Sequence, residues 1–510
     1  MIRSWKDLLT DVHELAPDVA DAQEIAALVE SFGYTDRTVR QWGFANVFAL
    51  AEHMFLNFPQ SSRSQQRVVR PSKWPSIWTE TKSASRKLSA SLAYSIPWMA
   101  LLALEYLRPH ALQVSAEFGS ALSLSLIASL VTPGGFIQMI ARAGSFYFGL
   151  LEPFLAHRFC VLLLKLGVAS SLLLAVLGVL LGAYFHVFPG VYLLVAAANY
   201  VVLSILWMLC AILSAQGISW CIPLVFLVSA IAGALIKVFA HTGTPLPLML
   251  WPLLAALCAA VCVQMQFRRS EKKRPQRHDS ARPRFSVALI SLVPFYFYGI
   301  VYFGFLFADR VAAGTAIPWV SGLSFGIDAA YKRGMDVVLL AFLICAALVE
   351  YLSESYLRFW FQLAAELPQS EGARLVSSLQ RRHSRIMFVI FGVFVTIALF
   401  AWFAFNYWSG LAASPRFVET VAMGGVGYLM LSMALFETII LACVNALHLA
   451  LRALALGLAV NLLAGYGLSH LLGVQYAAVG LLAGAAVVLW KCNAAARQVL
   501  QHPDYHYSVA

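Results

Sequence analysis

The chain has 510 residues, of which 60% are hydrophobic and only 12% charged, and its mean hydropathy is +0.75. Soluble globular domains are not built from that composition, so most of the chain belongs in a bilayer. The net charge of +11 reads as loops facing anionic lipid, which removes the reason to seek a nucleic-acid partner.

The first long apolar run begins near residue 88, too late for a secretory signal peptide, so the residues before it are expected on the cytoplasmic side. Residues 18–32 alternate apolar and polar at helical spacing, Gly33 is a stop, and Thr35 or Asp36 is placed to cap the next helix. With a third amphipathic piece over 44–55, residues 1–58 form a small helical module, either a docking surface for a partner or a packed cap on the membrane domain. Residues 59–87 are polar, Ser-rich and basic, a linker for the membrane surface in which Trp74 and Trp78 suit the interface.

Twelve apolar runs of about twenty residues follow, the length a hydrocarbon core of roughly 30 Å demands. They cover 88–107, 118–141, 160–184, 190–213, 218–240 and 247–266, then 286–308, 334–356, 385–407, 418–442, 448–471 and 475–495. Between the two sets lies 268–285, whose string RRSEKKRPQRHDSARPR carries eight Lys or Arg. Such a strap is held on the cytoplasmic side. Placing it there puts Arg142, Arg158, Arg358, Arg374, Arg381, Arg382, Arg385, Lys491 and Arg497 inside as well. Only Arg108, Arg310, Lys332, Arg333 and Arg416 fall outside. The expected protein is all-helical and polytopic, with six-helix lobes over 88–267 and 286–510, both termini cytoplasmic, and a short apolar segment over 309–333 that suits an interfacial helix.

Helix breakers mark both lobes. Pro97 and Pro294 lie at similar depths in the opening span of each half, where each removes a backbone donor and bends its helix. Thr132-Pro133-Gly134-Gly135 interrupts the second span. A break at that depth must face protein or a wet cavity, so either a cavity or close packing through the two glycines is expected there.

Four strings support a family resemblance: GGFIQMIARAGSFYFG (134–149), PFYFYGIVYFGFLFADR (294–310), ALVEYLSESYLRFWF (347–361) and the close from 461 to 507. In these the chain resembles the PelG-like exopolysaccharide transport proteins of the multidrug, oligosaccharidyl-lipid and polysaccharide (MOP) flippase superfamily. The resemblance implies a MOP/MATE-like pair of lobes around a cavity that opens alternately to either side of a bacterial inner membrane. It also implies movement of a polysaccharide or its lipid-linked precursor. Residues 1–75 are not accounted for by it, and they are the expected contact for a glycosyltransferase partner.

Ionisable groups inside spans cost about 2.5–3.5 kcal/mol at the helix centre, so they are the first functional candidates. Arg142, Lys165 and Arg310 are expected to meet an anionic head group, Asn199 and Asn461 to meet sugar hydroxyls, and Glu350 or Glu437 to titrate or pair with the cations. The competing account makes each of them an interhelical hydrogen bond or salt bridge. Glu105, Lys237, Asp309 and Arg310 lie near expected helix ends, within snorkelling reach of headgroups. The eight cysteines fall mostly in apolar runs and read as buried small hydrophobes, with no metal set around Cys258 and Cys262. No G-x-x-x-x-G-K-[ST] or H-E-x-x-H string occurs and no nucleophile stands with a recognisable base, so neither enzymatic activity nor a cofactor is expected. Cation-coupled efflux of small amphipathic compounds and a non-transporting scaffold are the alternatives.

Overall fold

The computed structural model describes residues 5–15, 22–32, 34–57, 116–150, 152–240, 246–273, 285–317, 325–367, 372–409 and 414–501. The linker over 59–87, the first predicted span with Pro97 and Glu105, and the basic strap beyond Lys273 lie outside them. All regular structure among the described residues is helical.

The N-terminal module holds α1 (Trp5–Leu15), α2 (Ala22–Ser31), α3 (Asp36–Arg40) and α4 (Val47–Leu56). Asn46 starts α4 by accepting the Ala49 amide at 2.8 Å, and Asp36 accepts the Val47 amide at 2.9 Å. Leu8, Val12, Ile25, Val29, Val39, Leu50 and Met54 close a small apolar core of their own.

The membrane part consists of α5 (Ala116–Val131), α6 (Gly134–Gly149), α7 (Pro153–Tyr184), α8 (Gly190–Ala215), α9 (Cys221–Ala240) and α10 (Leu246–Lys273), then α11 (Phe285–Thr315), α12 (Ala329–Glu366), α13 (Gly372–Ser409), α14 (Pro415–Cys443), α15 (Leu447–Leu472) and α16 (Ala477–Gln501). Among the described residues ten helical stretches are long and apolar enough to cross a membrane, α5 and α6 counting together as one. The predicted span at 218–240 is α9, whose described apolar stretch Cys221–Gly233 is shorter. Proline sets several boundaries: Pro153 and Pro415 open α7 and α14 where a missing N–H costs nothing, and Pro133 divides α5 from α6.

Two compact units emerge. One gathers the described residues of Met1–Ala84, Ser355–His383 and Leu500–Ser508; the other holds those of Ser85–Glu354 and Ser384–Val499. Within the first, the ends of α12 and α13 are pinned by Arg382, which donates to Ser355 Oγ at 3.1 Å and lies 4.3 Å over the Phe359 ring, and by Tyr356, which donates to the Leu379 carbonyl. In the second, α8 is central to the first half, packed on α5, α6, α7 and α10. Its counterpart in the other half is α11, which packs on α15 and also carries the contact with α5 and α6 that joins the halves.

Candidate functional site

The contact between the halves is a backbone-to-backbone approach. A Cβ built on Gly134 would meet Phe303 Cδ2 at 2.6 Å and the Gly299 carbonyl oxygen at 3.0 Å; one on Gly299 would meet the Gly134 carbonyl carbon at 2.6 Å and Gln138 Cγ at 2.9 Å. Gly135 is pressed on Tyr296 in the same way, and Phe136 meets that ring edge-on at 5.1 Å. Of the two readings of the Thr132–Gly135 break, close packing is the observed one. Hydrogen bonds flank Pro133 on both sides. The Thr132 hydroxyl bonds the Ala128 carbonyl at 2.9 Å and shares a 2.7 Å bond with the Tyr200 hydroxyl of α8, while the Pro133 carbonyl accepts the Ile137 amide.

About eight residues along α6 from this seam, some 12 Å at 1.5 Å per residue, the halves part. A cleft of about 480 Å³ opens between α6, the first turns of α11 and the α14–α15 junction. From α6 it takes Arg142, Ala143, Phe146 and Tyr147; from α11 it takes Ser291, Leu292, Pro294 and Phe295; from the junction it takes Cys443, Asn445, Leu447 and His448. Asn445 sits at φ 60°, a left-handed turn that Asn tolerates, and so lets α15 restart at once. The Arg142 guanidinium lies 5.3 Å from the centre of the Phe295 ring, across the cleft from its own helix. No Asp or Glu lines this cleft among the described residues. Cys443 is exposed in it, a departure from the buried role expected of the cysteines; Cys258 and Cys262 are likewise only half-buried.

Of the residues singled out from the sequence, the cleft takes Arg142 and Pro294. Asn199 donates to Ser125 Oγ at 2.8 Å, extending an α5–α8 ladder that also includes Trp207 donating to Ser129 Oγ at 3.3 Å. Asn461 is fully buried on α15 and donates to the Phe305 carbonyl at 3.0 Å. Glu437 is fully buried on α14, whereas Lys165 and Glu350 are exposed on α7 and α12.

Asp309 and Arg310 do not snorkel. Helix α11 runs on to Thr315, and the chain folds back so that Phe325 packs on Gly314 and the Gly326 amide bonds the Gly314 carbonyl at 3.0 Å. A position expected at a helix end is therefore interior. Asp309, with no exposed surface, accepts the Tyr331 hydroxyl at 2.7 Å and lies 3.6 Å from Arg310. Arg310 donates to Tyr428 OH at 2.9 Å and pairs with Asp336 at 3.7 Å, and Asp336 pairs with Lys332 at 3.2 Å. Two carboxylates and two cations thus tie α11, α12 and α14. The adjacent opposite charges 309–310 and the i,i+4 pair 332–336 were the available sequence signal. The cleft members Asn445 and His448 carried none.

No protein-family model matches the chain, and no curated protein matches it. Solved structures do. An outward-facing multidrug resistance MATE family transporter of the MOP superfamily aligns at TM-score 0.57 and 13% identity, over 82% of this chain and 96% of that one. The Vibrio cholerae MATE transporter VcmN, in its bent form, aligns at 0.55 and 14% over 84% and 99%. A MOP superfamily transporter from Pyrococcus furiosus, described as having a binding pocket of reverse polarity, aligns at 0.53 and 14% over 81% and 96%. The chain is accordingly a multi-pass membrane protein with the MATE-like transporter fold.

Proposed function

We propose that this protein is an alternating-access carrier that moves an exopolysaccharide or a lipid-linked oligosaccharide across the cytoplasmic membrane of a bacterium, with no chemical reaction of its own. The observation that carries the reading is the cleft: it lies between the halves, ends toward a glycine seam, and is lined, among the described residues, by a guanidinium, an amide, an imidazole, hydroxyls and aromatic rings and by no acid. Aromatic and amide surfaces suit sugar faces and hydroxyls, and a lipophilic cation would find no counter-charge there. By the charge pattern of the loops the cleft faces the cytoplasm, where precursors are made. The N-terminal module, with its separate core, is the proposed docking point for a glycosyltransferase.

The test is deletion of the gene in its own host with complementation. Loss of secreted glycan with unchanged sensitivity to cationic drugs is expected. Unchanged glycan together with raised sensitivity to such drugs overturns the reading in favour of multidrug efflux, which the same fold serves in the structures it resembles.

A further inference from the structure

Resting on that reading, we propose that Arg142 is the specificity-determining residue of the cleft and binds an anionic oxygen group of the cargo, a phosphate or a carboxylate, with Asn445 and His448 as supporting donors. Three observations carry this. First, among the described residues no carboxylate stands within ion-pair distance of Arg142, whereas Arg310 and Lys332 in the spans are neutralised by Asp309 and Asp336. An exposed guanidinium in the cleft keeps its N–H donors available to a ligand anion. Second, the guanidinium lies 5.3 Å from the centre of the Phe295 ring of the other half. A ring at that distance attracts the charged end of the side chain, and its N–H donors suit bidentate binding of a planar or tetrahedral oxyanion. Third, the neighbouring polar groups, Asn445 and His448, are exposed and both able to donate, and the described lining residues add no negative charge.

An anion bound here would bridge α6 of the first half, through Arg142, and the α14–α15 junction of the second, through Asn445 and His448. Its binding energy would therefore depend on how the halves are spaced at this end. A cargo could then favour one arrangement of the carrier over the other, which is the requirement for a ligand to shift a conformational equilibrium.

Cys443 supplies a native reporter, since it lines the same cleft and is exposed. The experiment is alkylation of the full-length protein in nanodiscs of neutral lipid by a small maleimide, with the rate at Cys443 read by peptide mass spectrometry. Three probes are compared: farnesyl diphosphate, an oligogalacturonate and a neutral maltohexaose. An anion held by charge-assisted hydrogen bonds to Arg142 should slow labelling about tenfold or more relative to maltohexaose. Protection should fade with added salt, disappear in Arg142→Gln and survive in part in Arg142→Lys, which keeps the charge and guards against a variant that fails to fold. Protection by the diphosphate alone assigns the anion to a lipid carrier; protection by the oligouronate alone assigns it to the polymer; protection by both assigns it to the shared oxyanion chemistry. Equal rates with all three probes, or protection undiminished in Arg142→Gln, overturns the proposal. The two readings fail separately: anion protection through Arg142 with glycan export unaffected by its loss would keep the site and sink the glycan role. Export that needs the protein while no anion protects Cys443 would do the reverse.

Discussion

At the scale of single residues, the network of Asp309, Arg310, Lys332 and Asp336 separates structural from functional polarity. Arg310 holds Tyr428, Asp309 and Asp336 together, and its side chain is only 12% exposed. Replacing it by Met would leave Asp309 buried without a cation and Asp336 with Lys332 alone. Breaking such a pair costs about 3–5 kcal/mol. Arg310→Met is thus expected to lower the thermal unfolding midpoint of the detergent-solubilised protein and its yield in the membrane, and an unchanged midpoint would show that the network contributes nothing. Asn199 makes a smaller contribution. Its hydrogen bond to Ser125 joins α5 to α8, and interhelical bonds of this kind average about 0.6 kcal/mol, so Asn199→Ala should leave folding intact within about 1 kcal/mol. That residue was legible in the sequence as a mid-span amide, but its partner was not, because Ser125 lies 74 positions away.

Helix α11 illustrates what happens at the scale of an element. Its sequence marks it as a span and marks Pro294 as a bend, yet the feature that joins it to the first half is Gly299, which no rule distinguishes from Gly304 five residues on. In the structure the two differ sharply. A methyl on Gly299 meets α6 backbone, whereas one on Gly304 comes no closer than 3.6 Å, to the Leu458 side chain. Gly299→Ala is expected to wedge α6 from α11 at an overpacking cost of roughly 1–3 kcal/mol or more and to impair export. Gly304→Ala is expected to leave both stability and export within error, since alanine is the better helix former and has room. Paired export and thermal-shift measurements on the two variants check this, and equal effects would remove the seam as a special contact. The same element corrects the expected end near 308: α11 continues to Thr315, and the residues read as lying near headgroups became core.

For the whole molecule, the even number of expected spans and the basic strap predict that both termini face the cytoplasm. Fluorescent and phosphatase reporters fused at each end should report the same, cytoplasmic side; reporters on opposite sides would break the twelve-span arrangement. The sequence by itself determined the membrane setting, the helical class, the position of nearly every described span, and the site of the Pro133 break. Each of these follows from local physics: a backbone in hydrocarbon must satisfy its own hydrogen bonds, and a proline cannot. Only the tertiary structure decided which polar side chains meet. The lipid-facing and protein-facing sides of a membrane helix are equally apolar, so the pattern that betrays the buried face of a soluble helix is missing here. That is why Asn461 against Phe305, the Asp309–Arg310–Asp336 network and the cleft that brings Arg142 to Asn445 and His448 became visible only once the helices were packed.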